Sequence, residues 1–183
     1  MKRILVFFAG VVLSSVAAAQ VPESVVNSCV LLQSADASTT YQELGGDGIL
    51  SEDDMPGYVM LAYRRNGVDF GYASSKKNSG DLLIVGRQRA SILGAKRAGT
   101  ERPERFEPTQ ALYGIVQRKA REYFCVASTF EGVGRSGSFQ NVRAAYIAEL
   151  TGSHAAPRIR ALHYAVRDIR KIKADGRAVP TMP

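Results

Sequence analysis

The sequence predicts an α+β domain, a mainly antiparallel sheet with two to four helices packed on it and one disulfide. Three observations carry this expectation. Two β-rich runs, YVMLAYRR and VDFGYA, flank Asn66-Gly67, a dipeptide suited to the positive φ angles of a type I′ hairpin turn. Other segments repeat apolar residues at helical spacing. Cys29 and Cys125 are the only cysteines, an even pair.

Residues 1–19 set the compartment. Lys2 and Arg3 precede an apolar run over 4–16, and Ala17, Ala18 and Ala19 offer small residues for cleavage. This is the layout of a secretory signal peptide, and the run falls short of the roughly 20 residues a membrane-spanning helix needs. The expectation is an exported protein, periplasmic or secreted after cleavage near Ala19. Residues 20–183 then form a single domain with no transmembrane segment. In an oxidising compartment the two cysteines should pair. Such a bridge closes a loop of about 100 residues, worth about 4.7 kcal/mol in the chain-entropy model. A cysteine nucleophile served by His154 or His163 is the weaker reading, because neither cysteine has a supporting motif.

The elements follow in order. Over 22–32, an early proline and Val25, Val26, Cys29 and Leu32 at helical spacing predict a short helix with Cys29 inward. The polar run over 33–40 ends it, and the hairpin follows over 58–73. DLLIV, at 81–85, reads as a further strand, and 86–99 is ambiguous. TERPERFEP, at 100–108, carries two prolines and alternating charges and reads as an exposed loop. Over 109–121, Leu112, Ile115, Val116 and Lys119 share a helical stripe, with Thr109 as N-cap. Residues 122–130 alternate and are rich in β-formers, which predicts a strand. Residues 139–150 fit a helix or the return strand of a hairpin. For 158–174, Ile159, Leu162, Val166 and Ile169 favour a helix over a competing strand, and 176–183 reads as a frayed tail.

Charge is unevenly spread. Without Lys2 and Arg3 the chain keeps 22 basic residues against 17 acidic ones. Residues 20–73 hold two basic and eight acidic residues, whereas 74–121 hold eleven and four. The basic residues are not interleaved with aromatics as a single-strand stacking platform requires, so nucleic acid is not favoured. The anions of a cell envelope, or a protein, are the expected partners.

FEGVGRSGSF, at 130–139, contains G-x-G-x-x-G, yet no acidic residue follows at the distance a ribose contact needs. It reads as a glycine-rich connection. Arg135, with Ser136 and Ser138 and the backbone amides, is its candidate anion or partner contact. Residues 43–54 resemble in part the calcium loop of an EF-hand, with Asp47, Ser51 and Asp54 as candidate ligands. Glu43 stands where that loop opens with Asp, Gly45 offers no side-chain oxygen, and position twelve is Asp rather than Glu. A solvated acidic loop is therefore the favoured reading. No cofactor is expected, calcium being the one candidate.

No Gly-x-Ser-x-Gly or His-Glu-x-x-His motif occurs. A carboxylate pair such as Glu122 and Glu149 is available for glycosidase chemistry, although nothing in the sequence selects it. The leading expectation is a small exported, non-enzymatic protein that binds a macromolecule, as an inhibitor, immunity-type or envelope accessory protein does. The alternatives are a secreted hydrolase or toxin acting on an envelope polymer, and a calcium-responsive module.

Overall fold

A computed structural model describes residues 20–46, 48, 55–77, 80–97, 99–129 and 141–172. Among them lie one α-helix and ten strands in two sheets. Helix α1 (Glu23–Leu31) precedes β1 (Thr39–Leu44), β2 (Tyr58–Arg65), β3 (Val68–Ser75), β4 (Leu82–Val85) and β5 (Gln88–Ser91). A 3₁₀ turn at Ile92–Gly94 leads to β6 (Lys96–Arg97), β7 (Ala111–Arg118), β8 (Arg121–Thr129), β9 (Val142–Ser153) and β10 (Ala156–Asp168). One sheet runs β1-β7-β8-β9-β10-β6, antiparallel except for the short parallel pairing of β6 on β10. The other is the antiparallel meander β2-β3-β4-β5.

Side-chain alternation sorts these strands into three layers. Phe70, Tyr72 and Leu83 of the small sheet meet Tyr113, Phe124, Tyr146 and Tyr164 of the large one in the main core. The opposite face of the large sheet offers Val116, Tyr123, Cys125 and Ile147 to Val25, Val26 and Val30 of α1. The architecture is helix, six-stranded sheet, four-stranded sheet.

The protein is thus mainly β, which corrects the α+β expectation of two to four helices. The stripe over 109–121 is strand β7. It is buried on both faces, with Tyr113 and Ile115 toward the small sheet and Val116 toward α1. Two-sided burial removes the polar half of the alternation and leaves an apolar run that helical spacing can imitate. Gly114 fits this strand because a Cβ there would collide with the Tyr41 ring from β1. The expected helix over 158–174 is β10 as far as Asp168, and the open choice over 139–150 resolves as β9 from Val142 onward; 139–140 and 173–174 lie outside the described residues. Thr109 lies in the turn before β7 and caps no helix. The segment over 86–99 becomes β5, a 3₁₀ turn and β6.

Other expectations hold. Asn66 and Gly67 both take positive φ, 52° and 76°, between β2 and β3. The helix stands at Glu23–Leu31, and Cys29 bonds to Cys125 with Cα atoms 5.6 Å apart. That bond fastens α1 to the centre of the large sheet. The helix has no side-chain N-cap and is far shorter than the ~12–15 residues at which isolated helices become even marginal. Tertiary contacts and the disulfide therefore hold it.

The connection from β6 to β7 is the largely exposed loop expected, and it is also pinned to the sandwich, with Phe106 and Pro108 buried. The Asp81 side chain is fully buried and accepts from the Tyr72 hydroxyl at 2.6 Å and the Ser75 amide at 2.9 Å. Arg105 reaches in from the connection, its Nε 3.2 Å from the Asp81 carboxylate and its Nη2 on the Ser75 carbonyl. Tyr146 and Tyr113 donate to the carbonyls of Glu104 and Pro108, at 2.6 and 2.8 Å. Phe106 is buried among these rings, 4.9 Å from Tyr146 centroid to centroid. A polar-looking run is thereby drawn against an aromatic core.

Candidate functional site

The register brings four hairpin turns to one end of the sandwich. These are the β2–β3, β4–β5, β7–β8 and β9–β10 turns. Two contacts join the sheets there. Arg65 on β2 pairs with Glu122 on β8 at 3.4 Å. Gln88 on β5 accepts from the Ile159 amide at 2.8 Å, beside the register shift that β10 makes between Ile159 and Ala161. A bulge leaves backbone groups outside the ladder, and the Gln88 amide takes up one of them.

Cations crowd these turns. Arg64 and Arg65 end β2, Arg87 and Arg89 flank the β4–β5 turn, Lys119 and Arg121 frame the β7–β8 turn, and Arg158 and Arg160 open β10. The carboxylates at this end are already committed. Asp69 holds Arg64 at 2.7 Å, Glu122 holds Arg65, and Glu149 is shared by Arg121 and Arg160 at 3.3 and 3.4 Å. Arg89 donates to the carbonyls of Gly86 and Gln88. Arg87, Lys119 and Arg158 are exposed and have no ion-pair partner among the described residues.

Two of those three free cations border one groove. It measures about 690 Å³ and runs between the β2–β3 and β4–β5 turns and the start of β10. Gly67, Gly86 and Pro157 line it, with Arg87 from the small sheet and Arg158 from the large one. Cations on opposite walls of a concave, low-dielectric surface focus a positive field into it.

No protein family, curated protein or solved structure matches this chain. The site is therefore read from its own chemistry.

A second cleft, about 270 Å³, adjoins the first and is lined by Glu122, Glu149, His154, Arg121 and Arg160. His154 Nδ1 lies 3.0 Å from Glu122 Oε2. An imidazole backed by a carboxylate is the positioning half of a general base. However, burial raises the Glu122 carboxyl less than its hydrogen bonds to Gln117 and His154 and the charge of Arg65 lower it, so it sits below its ordinary range. A general acid needs the opposite displacement. Glu149 pairs with Tyr123 in the register and so shares the face turned toward α1, whereas Glu122, next to Tyr123, points to the other face. The two carboxylates named from sequence both line this cleft, but they project from opposite faces of the large sheet, and Arg121 and Arg160 already engage Glu149.

Among the residues expected to matter, Cys29 and Cys125 are placed and bonded. Arg135, Ser136 and Ser138 lie outside the described residues, as do Asp47, Ser51 and Asp54, the segment 1–19 and the tail 176–183. Among the described residues no group of three or more metal-ligating side chains gathers, and no helix is long and apolar enough to cross a membrane. Nothing in the sequence alone singles out Arg87 or Arg158. The signal available was the basic excess from residue 74 onward, together with turn glycines such as Gly86 beside Arg87.

Proposed function

We propose that this is an exported binding protein that holds an anionic polymer of the cell envelope, an acidic polysaccharide, in the groove at its hairpin end. The observation that carries this reading is the pair Arg87 and Arg158. They rise from different sheets onto one groove, and no carboxylate among the described residues neutralises either. Unpaired exposed cations are the groups that an anionic ligand can engage without first displacing an internal partner. Apart from Arg87, Gln88 and Arg158 the groove is lined by glycine, alanine, valine and proline, small side chains that leave the two guanidinium groups open to an extended anionic chain. The disulfide suits an oxidising compartment, and the signal-peptide layout of residues 1–19 supports export.

Titration calorimetry of the purified protein with alginate, and with a neutral glucan as control, tests the reading. Arg87→Glu combined with Arg158→Glu should reduce alginate affinity at least about tenfold, as loss of two charge-assisted contacts implies. Unchanged affinity in that variant would remove the groove from the function. Cleavage of the polymer, abolished by His154→Ala, would replace the binding reading with a hydrolytic one at the adjoining cleft.

A further inference from the structure

On the α1 side of the large sheet lies a separate cavity of about 320 Å³, between the start of α1 and strands β6 and β10. His163 forms its buried wall. It sits on β10 beside Lys96 of β6 and opposite Ile147 of β9, and is 8% exposed. Its Nε2 is buried without a hydrogen-bond partner. A buried polar nitrogen left unpaired costs roughly 1–3 kcal/mol, so such a group is ordinarily satisfied or functional. Val21 gives the cavity an apolar side above the buried Val26 and Ile147, while Lys96, Arg97 and Arg167 give it a cationic one. Glu23 is the one carboxylate in the lining, and it is occupied by Arg167 at 3.1 Å. Lys96 and Arg97 are exposed at the rim.

We propose that this cavity binds a small organic carboxylate. The acid group would sit against Lys96 at the rim, the carbon skeleton would lie on Val21, and the His163 ring would form the floor beneath it. The size is at the lower end of small-molecule pockets, and an apolar wall with a few convergent polar groups is their usual composition. Inorganic phosphate shares the charge but cannot use the apolar wall. This site is distant from the hairpin groove and independent of the polymer-binding reading.

The chain contains two histidines, His154 and His163, which makes proton NMR of the imidazoles a direct probe. His154 is well exposed at the hairpin end and serves as the internal reference. Titration of the purified protein with benzoate, succinate and phosphate should give saturable shifts of the His163 resonances for at least one carboxylate, and leave His154 unmoved. Lys96→Glu, an exposed substitution, should weaken that binding at least about tenfold, whereas Arg87→Glu should leave it unchanged. Silence of His163 toward both carboxylates overturns the proposal. So does an equal response in Lys96→Glu, and so does phosphate binding as tightly as either carboxylate.

Discussion

Asp81 is the residue on which the connection between β6 and β7 depends. Its buried carboxylate gathers a tyrosine hydroxyl, a backbone amide and the Arg105 guanidinium, and Tyr72 in turn accepts from the Phe106 amide at 3.1 Å. Removing the carboxylate takes this acceptor from the Tyr72 hydroxyl and the Ser75 amide at once, while Arg105 keeps its bonds to Ser74 and the Ser75 carbonyl. Asp81→Ala should therefore cost about 3 kcal/mol, between the loss of one hydrogen bond and the break of a fully buried ion pair. Urea unfolding of the variant checks this, and a loss below that of a single surface ion pair would deny Asp81 its role. His163 is the second residue with a readable consequence. Burial, helped by Lys96 on β6 and opposed by Glu149 on β9, keeps its imidazole below its ordinary pKa of 6.5. Glu23 on α1 and Arg167 on β10 also line its cavity. The unfolded chain thus binds more protons between the folded value and about 6.5, so stability rises with pH across that window and is complete above it. Glu122, also depressed, adds a separate rise at lower pH that is complete above about 4.5. Calorimetric melting from about pH 2 to 8 should show both rises, and His163→Gln should flatten only the upper one. Parallel curves for the two proteins would place the titration elsewhere.

Helix α1 shows how an element can be legible in outline and yet depend on contacts the sequence hides. Its span and inward cysteine follow from spacing alone. Its stability does not, because a nine-residue helix without a side-chain cap has little of its own. Val25, Val26 and Val30 pack on β8 and β9 neighbours, and the bond to Cys125 anchors the helix there. Reduction, or the pair Cys29→Ala and Cys125→Ala, should lower stability by up to about 4–5 kcal/mol. Hydrogen exchange should then show the α1 amides opening before those of β8 and β9. Protection lost uniformly across the molecule would contradict a locally tethered helix. Strands β7 and β10 mark the opposite limit of reading. The tight β2–β3 turn writes itself into Asn66-Gly67, a local requirement on φ. A strand between a helix layer and a second sheet carries no such mark, since both faces are apolar, and only its pairing partners distinguish it from a buried helix. Those partners are distant in sequence: β10 lies against β6 through His163 and Tyr164, far along the chain from Lys96 and Arg97.

At the scale of the whole molecule, the charge imbalance was visible in the sequence, but its location was not. The basic excess from residue 74 onward includes cations in the β4–β5 and β7–β8 turns and at the start of β10, and the antiparallel order collects these at one end with Arg64 and Arg65. Neither Arg87 nor Arg158 stands out alone. They become a pair only when the two sheets face each other and Gln88 fastens β5 to β10. A field assembled in this way acts mainly on encounter, because it draws an anion in before contacts form. Association of alginate with the protein, followed by stopped flow, should therefore slow steeply between about 0.1 M and 1 M salt, as the Debye length falls from about 10 Å to 3 Å. Dissociation should change much less, since short-range contacts govern it. The Arg87→Glu and Arg158→Glu pair should slow association at low salt and flatten its salt dependence. If salt instead acted on dissociation alone, or the double variant kept the slope of the parent, the hairpin end would be a solvated basic surface and not the entry to a binding groove.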